Sequence, residues 1–267
     1  MADFLAEAQR VAVAAAKEAG KILVRRQFQG LKVSFKDGNV RNIVTNADKE
    51  ADAIIRSTIL KNFPEHSIIS EEDVPKKGNE YVWYVDPLDG TTNYSKGGSY
   101  FCVSIALAKG SKLLLGVIYN PGDSELYTTI RSKGAFLNGT KISTTNTVAL
   151  EQALVCLDLA SDKEERKKAL EALEKIAIEV KSVRIKGAGA LSMCEVAAGK
   201  ADVYVRMGSS AWDFSAGTLI LREAGGIVTD INNIPWEPNS KTILAAVTES
   251  LHGRIIKKFL QRFENDT

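Results

Sequence analysis

The sequence of 267 residues predicts an α/β (or α+β) protein built of stacked layers. Three features lead to this prediction. The N-terminal region has the apolar periodicity of helices, a central region has short apolar segments separated by Gly, Pro and Asn turns, and strand and helix patterns alternate after about residue 150. With 45% hydrophobic and 25% charged residues, the composition is typical of one large globular domain or two fused halves.

Two helices are predicted first. Residues 4–23 place apolar side chains at spacings of three and four, which predicts an amphipathic helix with Asp3 as its cap. Thr45 and Asp48 fit the S/T-x-x-D/E capping pattern before a second apolar face. The second helix should therefore open at Thr45 and end near Asn62, before Pro64.

The remaining elements follow from short-range patterns. Apolar strands are predicted at residues 67–69, 81–85, 100–108, 112–119 and 125–130, with a hairpin turn at Lys109-Gly110-Ser111. Further strands are predicted at residues 153–157, 203–205, 227–230 and 243–247. Helices are predicted at residues 162–180, 189–198 and 213–224 and at the C-terminus. Because no linker or repeat separates residues 1–140 from residues 141–267, we expect two halves of one compact unit, with the active site between them.

Composition excludes several classes of function. The 35 basic and 33 acidic residues are interspersed, which is unlike a nucleic-acid-binding surface. No apolar run reaches 18 residues and no secretory stretch is seen, so the expectation is a cytoplasmic protein without a membrane span. The three cysteines are expected to be reduced and buried. His66 and His252 are too few for a histidine metal site and are assigned to the surface.

The strongest chemical signal is the segment D-P-L-D-G-T-T-N at residues 86–93. Asp86 and Asp89 flank a proline after a predicted strand, and their carboxylates and the Leu88 carbonyl are the oxygen ligands that hard cations prefer. Gly90 and Thr91 offer backbone N–H groups to a phosphate oxygen. A bare D-x-x-D pair is more often an ordinary acidic turn, so the prediction of a metal site rests on the full eight-residue string, which is far more specific.

Two other acidic positions could join this segment. Glu71 lies in the acidic run Ser70–Asp73, which alone would be a solvated loop. Asp213 opens a predicted helix, where it is either a routine N-cap or a further metal ligand.

Together these residues resemble the inositol monophosphatase family. The resemblance rests on D-P-L-D-G-T-T-N and on W-D-F-S-A-G-T-L-I-L-R-E-A-G-G at residues 212–226. Further matches are Lys36, T-N-A-D at 45–48, S-E-E at 70–72 and G-A-G-A-L-S-M-C at 187–194. The resemblance implies a five-layer α-β-α-β-α sandwich of the sugar phosphatase type, usually a homodimer inhibited by lithium.

The resemblance also implies a metal site and a mechanism. Two or three Mg²⁺ ions would be held, with Asp86 as the bridge, by Glu71, Asp86, the Leu88 carbonyl, Asp89 and Asp213. A metal-activated water would attack the phosphate with help from Glu71 and a Thr91–Asp48 pair. Asp48 is also explained as a first-turn helix acid. Lys36 would place a third metal or the phosphate from a loop, although an isolated lysine is more often a solvated charge.

Substrate contacts are implied at Asp89, Gly90, Thr91, Ala188 and Asp213. The family's animal inositol enzymes have a glutamate where this chain has Arg206, whereas its archaeal bifunctional enzymes have an arginine. An arginine fork matches a second phosphate, and Arg184 with Lys186 would extend an anion-binding wall or form a basic strand edge facing water.

The leading hypothesis is therefore a Mg²⁺-dependent phosphatase of fructose 1,6-bisphosphate, a gluconeogenic activity of carbohydrate metabolism, that also accepts inositol 1-phosphate. Two alternatives stay open. One is a nucleotide phosphatase acting on NADP or a 3′-phosphoadenosine compound, which a purine-stacking aromatic side chain would favour. The other is a non-catalytic metal-binding scaffold. An exonuclease is opposed by the balanced charge.

Overall fold

A computed structural model describes residues 2–260 as two β-sheets with helices on both sides of each. The helices of this part of the chain are α1 Ala2–Gln27, α2 Asn46–Asn62, α3 Thr91–Ser95, α4 Lys163–Glu179, α5 Gly189–Ala197, α6 Ala211–Glu223 and α7 Glu249–Ile255. A π-helical turn at Ile256–Leu260 follows α7, and 3₁₀ turns occur at Lys36–Gly38 and Leu150–Gln152.

The strands form a small hairpin and two large sheets. The hairpin consists of β1 Val33–Phe35 and β2 Ile43–Thr45. The first sheet contains β3 Ser67–Ser70, β4 Tyr81–Asp89, β5 Cys102–Lys109, β6 Lys112–Asn120, β7 Glu125–Ile130, β8 Ala135–Leu137 and β9 Thr140–Ile142. The second contains β10 Leu154–Asp158, β11 Ser182–Arg184, β12 Val203–Met207, β13 Ile227–Thr229 and β14 Thr242–Ala246.

The two sheets differ in topology. The seven-stranded sheet follows chain order from β3 to β9 and is antiparallel except for the parallel β3–β4 pair. The five-stranded sheet has the order β11-β10-β12-β14-β13 and pairs β10 in parallel with β11 and β12. The first sheet thus ends at Ile142 and the second begins at Leu154.

Helix packing gives the five layers. Helices α1 and α2 cover one face of the seven-stranded sheet, and their small alanines pack with its apolar side chains in one core. Helices α5 and α6 lie between the sheets and contact both of them, and α4 and α7 contact the outer face of the five-stranded sheet. The predicted α-β-α-β-α sandwich is confirmed.

The helix predictions hold well. Thr45 is the N-cap of α2, and its reciprocal bonds with Asp48 form the predicted capping box. The first helix is longer than predicted, so that Asp3 lies inside its first turn and is not its cap. At α6 the cap is Ser210, and Asp213 is the third residue of the helix, so the assignment of Asp213 as N-cap is wrong.

Other local predictions need correction. The hairpin turn at Gly110 is confirmed, but β4 continues four residues further than predicted and contains Asp86 and Asp89. The short strands β1, β2, β8, β9 and β11 and the helix α3 were not predicted, because three to five residues carry too little periodicity. The predicted helix at residues 189–198 is confirmed, since α5 starts at Gly189.

Both histidines are buried, contrary to the surface assignment. His66 accepts a hydrogen bond at Nδ1 from Trp83 Nε1 at 3.0 Å, and His252 Nε2 lies 2.8 Å from Thr229 Oγ1. Each ring therefore fills a core position and has a specific polar partner. The three cysteines are free and buried, as predicted.

Among residues 2–260, no helix is long and apolar enough to cross a bilayer.

The contact between the first sheet and α6 is close enough to test. Gly116 of β6 faces the α6 backbone, and a Cβ there would lie 2.9 Å from the Ala216 carbonyl oxygen. We predict that Gly116→Ala lowers the free energy of unfolding by about 1–3 kcal/mol through overpacking, as measured by urea denaturation. Gly253→Ala in α7 is the matched control, because no atom lies within 4 Å of its added methyl group. Equal effects of the two substitutions would contradict this packing.

Candidate active site

A bulge in β4 directs two carboxylates to the same side of the sheet. Side chains of a regular strand alternate, so residues three positions apart should face opposite ways. Asp86 pairs with Ser104 and Asp89 pairs with Cys102, which leaves one extra residue in β4. Proline suits such a bulge because it has no N–H to donate to the ladder. The bulge therefore places Asp86 and Asp89 in one cavity.

Glu71 and Asp213 reach the same cavity from other elements. Glu71 follows β3, whose parallel pairing with β4 brings the two strand ends together, and its N–H donates to the Val85 carbonyl at 3.1 Å. Asp213 is held in the first turn of α6 by the Ser210 N–H at 3.2 Å.

Three of the predicted ligands form a tight acidic cluster. Carboxylate oxygens of Glu71, Asp86 and Asp213 all lie within 4.8 Å of one another. Asp89 lines the same cavity but is outside this group, and its Oδ2 accepts a hydrogen bond from the Ala190 N–H at 2.7 Å. The sequence therefore identified a set of residues that the fold does bring together from three separate segments.

Burial and mutual repulsion raise the pKa values of the three aspartates Asp86, Asp89 and Asp213. Burial raises the pKa of Asp89 to about 7, and Asp213 adds repulsion. Burial also raises the pKa of Asp213 to about 6, against the opposing effect of Arg206. For Asp86, burial followed by repulsion from Glu71, Asp89 and Asp213 raises the pKa well above its usual range.

The predicted Thr91–Asp48 pair is present. Thr91 Oγ1 lies 3.3 Å from Asp48 Oδ1 and 2.9 Å from the Leu88 carbonyl oxygen, so the hydroxyl sits between a carboxylate and a predicted metal ligand. Asp48 is buried, and burial raises its pKa to about 6 although Thr45 donates hydrogen bonds to it. Asp48 thus serves both as capping-box acid and as partner of Thr91.

Lys36 is not a solvated charge. Its Nζ lies 2.7 Å from Glu71 Oε1 and 2.6 Å from Glu72 Oε1. Burial disfavours the charged amine, but both carboxylates outweigh that effect and raise its pKa. Burial also raises the pKa of Glu72 to about 7. The lysine from the 3₁₀ turn after β1 therefore supplies a positive charge beside the acidic cluster.

The cavity has a volume of about 320 Å³ and is lined by basic as well as acidic side chains. Arg41, Arg166 and Arg206 all line it. Arg206 lies on β12, donates from Nε to the Gly208 carbonyl at 3.1 Å, and has its guanidinium carbon 5.7 Å from the centre of the Phe214 ring. It is within electrostatic range of Asp213, Asp158 and Asp89.

Gly90 keeps the backbone open at the start of α3. Its φ is +89°, and a Cβ there would lie 2.9 Å from the Tyr100 carbonyl oxygen. A side chain at this position would therefore be strained and would collide with the backbone directly before β5. Gly90, Thr91 and Thr92 line the cavity, as the sequence predicted for the first two.

Two predicted substrate contacts are not brought into the cavity. Arg184 is exposed on the edge strand β11 and bonds to Ser182 and to the Val183 carbonyl. Ala188 is fully buried as the N-cap of α5, where it packs next to Gly90. Lys186 pairs with Glu195 at 2.7 Å and stacks over Tyr100. In the described part of the chain, none of the three lines this cavity.

Sequence reasoning missed three residues of the site. Asp158 ends β10, is buried, and accepts hydrogen bonds from the Gly187 N–H at 2.7 Å and the Tyr204 hydroxyl at 3.2 Å. Its signal was an acid at the end of an apolar strand, as for Asp86. Arg41 and Arg166 gave no local signal, because they lie in a polar loop and on a charged helix.

The donor set fits a hard divalent cation. In the part of the chain that the structure describes, the group consists of carboxylate oxygens and contains no histidine nitrogen or cysteine sulfur, and Leu88 lines the same cavity. Carboxylates this close together favour a neutralising charge. Lys36 neutralises only the edge of the cluster, at Glu71 and Glu72.

Comparison with known proteins identifies the family of the chain. The model of the family described as "Inositol monophosphatase family" matches residues 5–263. The chain belongs to the inositol monophosphatase family. It is 37% identical to the inositol monophosphatase of Mesembryanthemum crystallinum over 98% of this chain and 97% of that protein. It is 33% identical to human inositol monophosphatase 1 over the full length of both.

Other relatives and solved structures extend this likeness. The Nus factor SuhB of Vibrio cholerae is 36% identical over 92% of this chain and 98% of that protein. The structure of the extragenic suppressor protein SuhB from Bartonella henselae superposes with a TM-score of 0.90 at 34% identity, covering 95% and 98% of the two chains. The inositol monophosphatase from Anabaena gives a TM-score of 0.85 at 33% identity, covering 96% of each. Membership of this family identifies the chain as a phosphoric monoester hydrolase.

The raised pKa values of the inositol monophosphatase cluster predict a pH dependence. Asp86, Asp89 and Asp213 bind protons more strongly in the folded protein than in the unfolded chain, so unfolding releases protons and the metal-free protein loses stability as pH rises from about 4 to about 7. A cation must displace these protons. We expect Mg²⁺ to raise Tm more at pH 8 than at pH 5.5, as measured by calorimetry with and without EDTA. An increment independent of pH would contradict this.

Removing one charge from the cluster tests the repulsion directly. We predict that Asp86→Asn raises the Tm of the metal-free protein at pH 8, because it removes a buried charge that Glu71, Asp89 and Asp213 repel. The same substitution should abolish the Mg²⁺-dependent increase in Tm. Glu171→Gln, at an exposed acid of α4, is the charge-matched control and should change neither value. A lower Tm of the metal-free Asp86→Asn protein would refute the proposed repulsion.

Proposed function

We propose that the chain is a Mg²⁺-dependent phosphomonoesterase that prefers fructose 1,6-bisphosphate and also accepts inositol 1-phosphate. The observation that carries the proposal is one cavity lined both by the carboxylate cluster and by three arginines. The carboxylates suit the metal-dependent chemistry of the family, and the arginines suit a substrate with a second phosphate.

In this proposal, the cavity holds two or three Mg²⁺ ions through Glu71, Asp86, the Leu88 carbonyl, Asp89 and Asp213. Bound Mg²⁺ would polarise the phosphate ester and lower the pKa of a water nucleophile. The chain's own part is to orient the reactants. Thr91, held between Asp48 and the Leu88 carbonyl, would accept or pass a proton from the attacking water, and Glu71 would assist it.

The three arginines are the basis for the choice of substrate. Arg206 lies on β12, paired with Asp158 of β10, and Arg166 and Arg41 reach the same cavity from α4 and from the loop before β2. Guanidinium groups only donate hydrogen bonds, and they match a phosphate with two parallel bonds. A polyol monophosphate, by contrast, is bound best by a side chain that can also accept hydrogen bonds from its hydroxyl groups.

The two alternatives receive less support. The described residues that line the cavity include no aromatic side chain on which a purine could stack, which disfavours a nucleotide phosphatase. A non-catalytic scaffold would be expected to lack part of the acidic set, whereas Glu71, Asp86, Asp89 and Asp213 are all present.

Several finer properties belong to the same proposal. We propose a cytoplasmic homodimer that lithium inhibits, with residues 1–140 supplying most metal ligands and residues 141–267 supplying Asp213 and substrate-contacting residues such as Arg206. Sedimentation analysis and activity in lithium chloride would test these properties. The activity itself is tested by Mg²⁺-dependent phosphate release from fructose 1,6-bisphosphate, inositol 1-phosphate, NADP and 3′-phosphoadenosine compounds. No release from any of them would refute the proposed function.

Arg206 should determine substrate choice. We predict that Arg206→Glu lowers kcat/KM for fructose 1,6-bisphosphate by at least tenfold more than for inositol 1-phosphate, since a carboxylate repels a second phosphate but accepts hydrogen bonds from ring hydroxyls. Arg184→Glu is the matched control, because that arginine is exposed and outside the cavity. Steady-state kinetics on both substrates measures the difference. Equal losses on the two substrates, or no loss on the bisphosphate, would refute the role of Arg206.

A further inference from the structure

We propose that the chain has a second anion-binding site, for a small organic phosphate, in a cavity at the C-terminal end of α6. This α6 cavity is bounded by the start of β6, the end of β7, the edge strand β13 and the segment 235–237. Its volume is about 450 Å³, which is within the range of small-molecule sites. It shares no lining residue with the catalytic cavity.

The α6 cavity carries an excess of positive charge. Lys112, Arg131 and Arg222 line it, and Glu237 is the acidic side chain among its lining residues. Within residues 2–260, none of the three cations forms an ion pair. Glu237 attracts Arg222 and offsets part of this charge, so three cations against one acid leave a net positive charge that an anion would neutralise. Burial followed by repulsion from Arg131 lowers the pKa of Arg222, and the attraction of Glu237 opposes this shift.

Both arginines are fixed in place and keep unused donors. Arg222 Nη2 donates to the carbonyls of Val228 at 3.0 Å and Trp236 at 2.8 Å, and Arg131 Nη1 donates to the Leu113 carbonyl at 3.1 Å. These bonds explain how the loop after β13 is held against α6. They use only part of the five N–H donors of each guanidinium, so further donors remain for a ligand.

Much of the remaining wall is apolar, beside the polar Ser111, Thr229 and Glu237, and this apolar part indicates the other half of the ligand. Leu113, Ile227, Val228, Pro235 and Trp236 line the α6 cavity. Trp236 is fully buried, and its indole Nε1–H has no acceptor in the structure. Paired guanidiniums match a dianionic phosphate better than a single carboxylate. The ligand class is therefore a phosphate with a compact apolar or planar organic group.

Helix α6 separates the two cavities. Asp213 lies in its first turn and Arg222 in its last, and a rise of about 1.5 Å per residue places them roughly 13 Å apart along the axis. A phosphate in the α6 cavity would therefore bind without competing with substrate.

The test is calorimetric titration of the full chain with phenylphosphonate, a phosphate analogue that phosphatases do not hydrolyse. The titration is done in EDTA at pH 8, so that the carboxylates of the catalytic cavity repel the probe. We expect one site per chain and at least tenfold weaker binding of inorganic phosphate. Arg131→Gln should weaken phenylphosphonate binding at least tenfold, and Arg222→Lys, which keeps the charge but not the fork, should also weaken it.

Two controls locate the bound probe. Lys133→Gln removes a neighbouring positive charge outside the α6 cavity and should leave the affinity unchanged. Arg206→Gln should also leave it unchanged, because Arg206 belongs to the catalytic cavity. Absence of binding, or binding lost in Arg206→Gln but retained in Arg131→Gln, would overturn the proposal. Mg²⁺-dependent phosphate release from the same preparations reports separately on the proposed function.

Discussion

Repulsion among buried carboxylates is the constraint on which this structure depends. Glu71, Asp86 and Asp213 meet within 4.8 Å, and Asp89 lies beside them at the same cavity. Like charges at this spacing in a buried site are unfavourable, and only protons or cations relieve them. The surrounding fold must therefore stabilise an arrangement that its own charges oppose, and three structural features hold the four carboxylates in place.

These structural features are set by backbone geometry more than by side-chain packing. The β4 bulge orients Asp86 and Asp89, the parallel β3–β4 pair positions Glu71, and the first turn of α6 holds Asp213 through the Ser210 N–H. Because α6 is packed between both sheets, the position of Asp213 depends on the sandwich as a whole. The layered fold is thus the means by which distant segments converge on one acidic cluster.

Sequence patterns predicted what depends on local spacing and failed where tertiary contacts decide. The Thr45–Asp48 capping box and the long strands followed from periodicity, and the acidic motif identified the cluster. The bulge was not predictable, because an extra residue leaves no mark in an apolar pattern. His66 and His252 are buried because Trp83 and Thr229 satisfy them, and those partners are distant in sequence. Arg184 and Arg166 look alike in sequence, and only the fold separates the exposed edge from the cavity wall.

Charge balance connects the acidic and basic residues of the catalytic cavity. In the metal-free state Arg206 interacts with Asp89, Asp158 and Asp213, so part of its positive charge is offset by the cluster. Cations bound to Asp89 and Asp213 would neutralise those acids. The positive charge of Arg206 would then be less offset by them and would attract an anion in the cavity more strongly. Metal binding and binding of a second phosphate would then strengthen each other through a shared set of charges. An uncharged ring hydroxyl at the same position would gain little from this coupling, and that difference favours a bisphosphate over a monophosphate in a metal-loaded site.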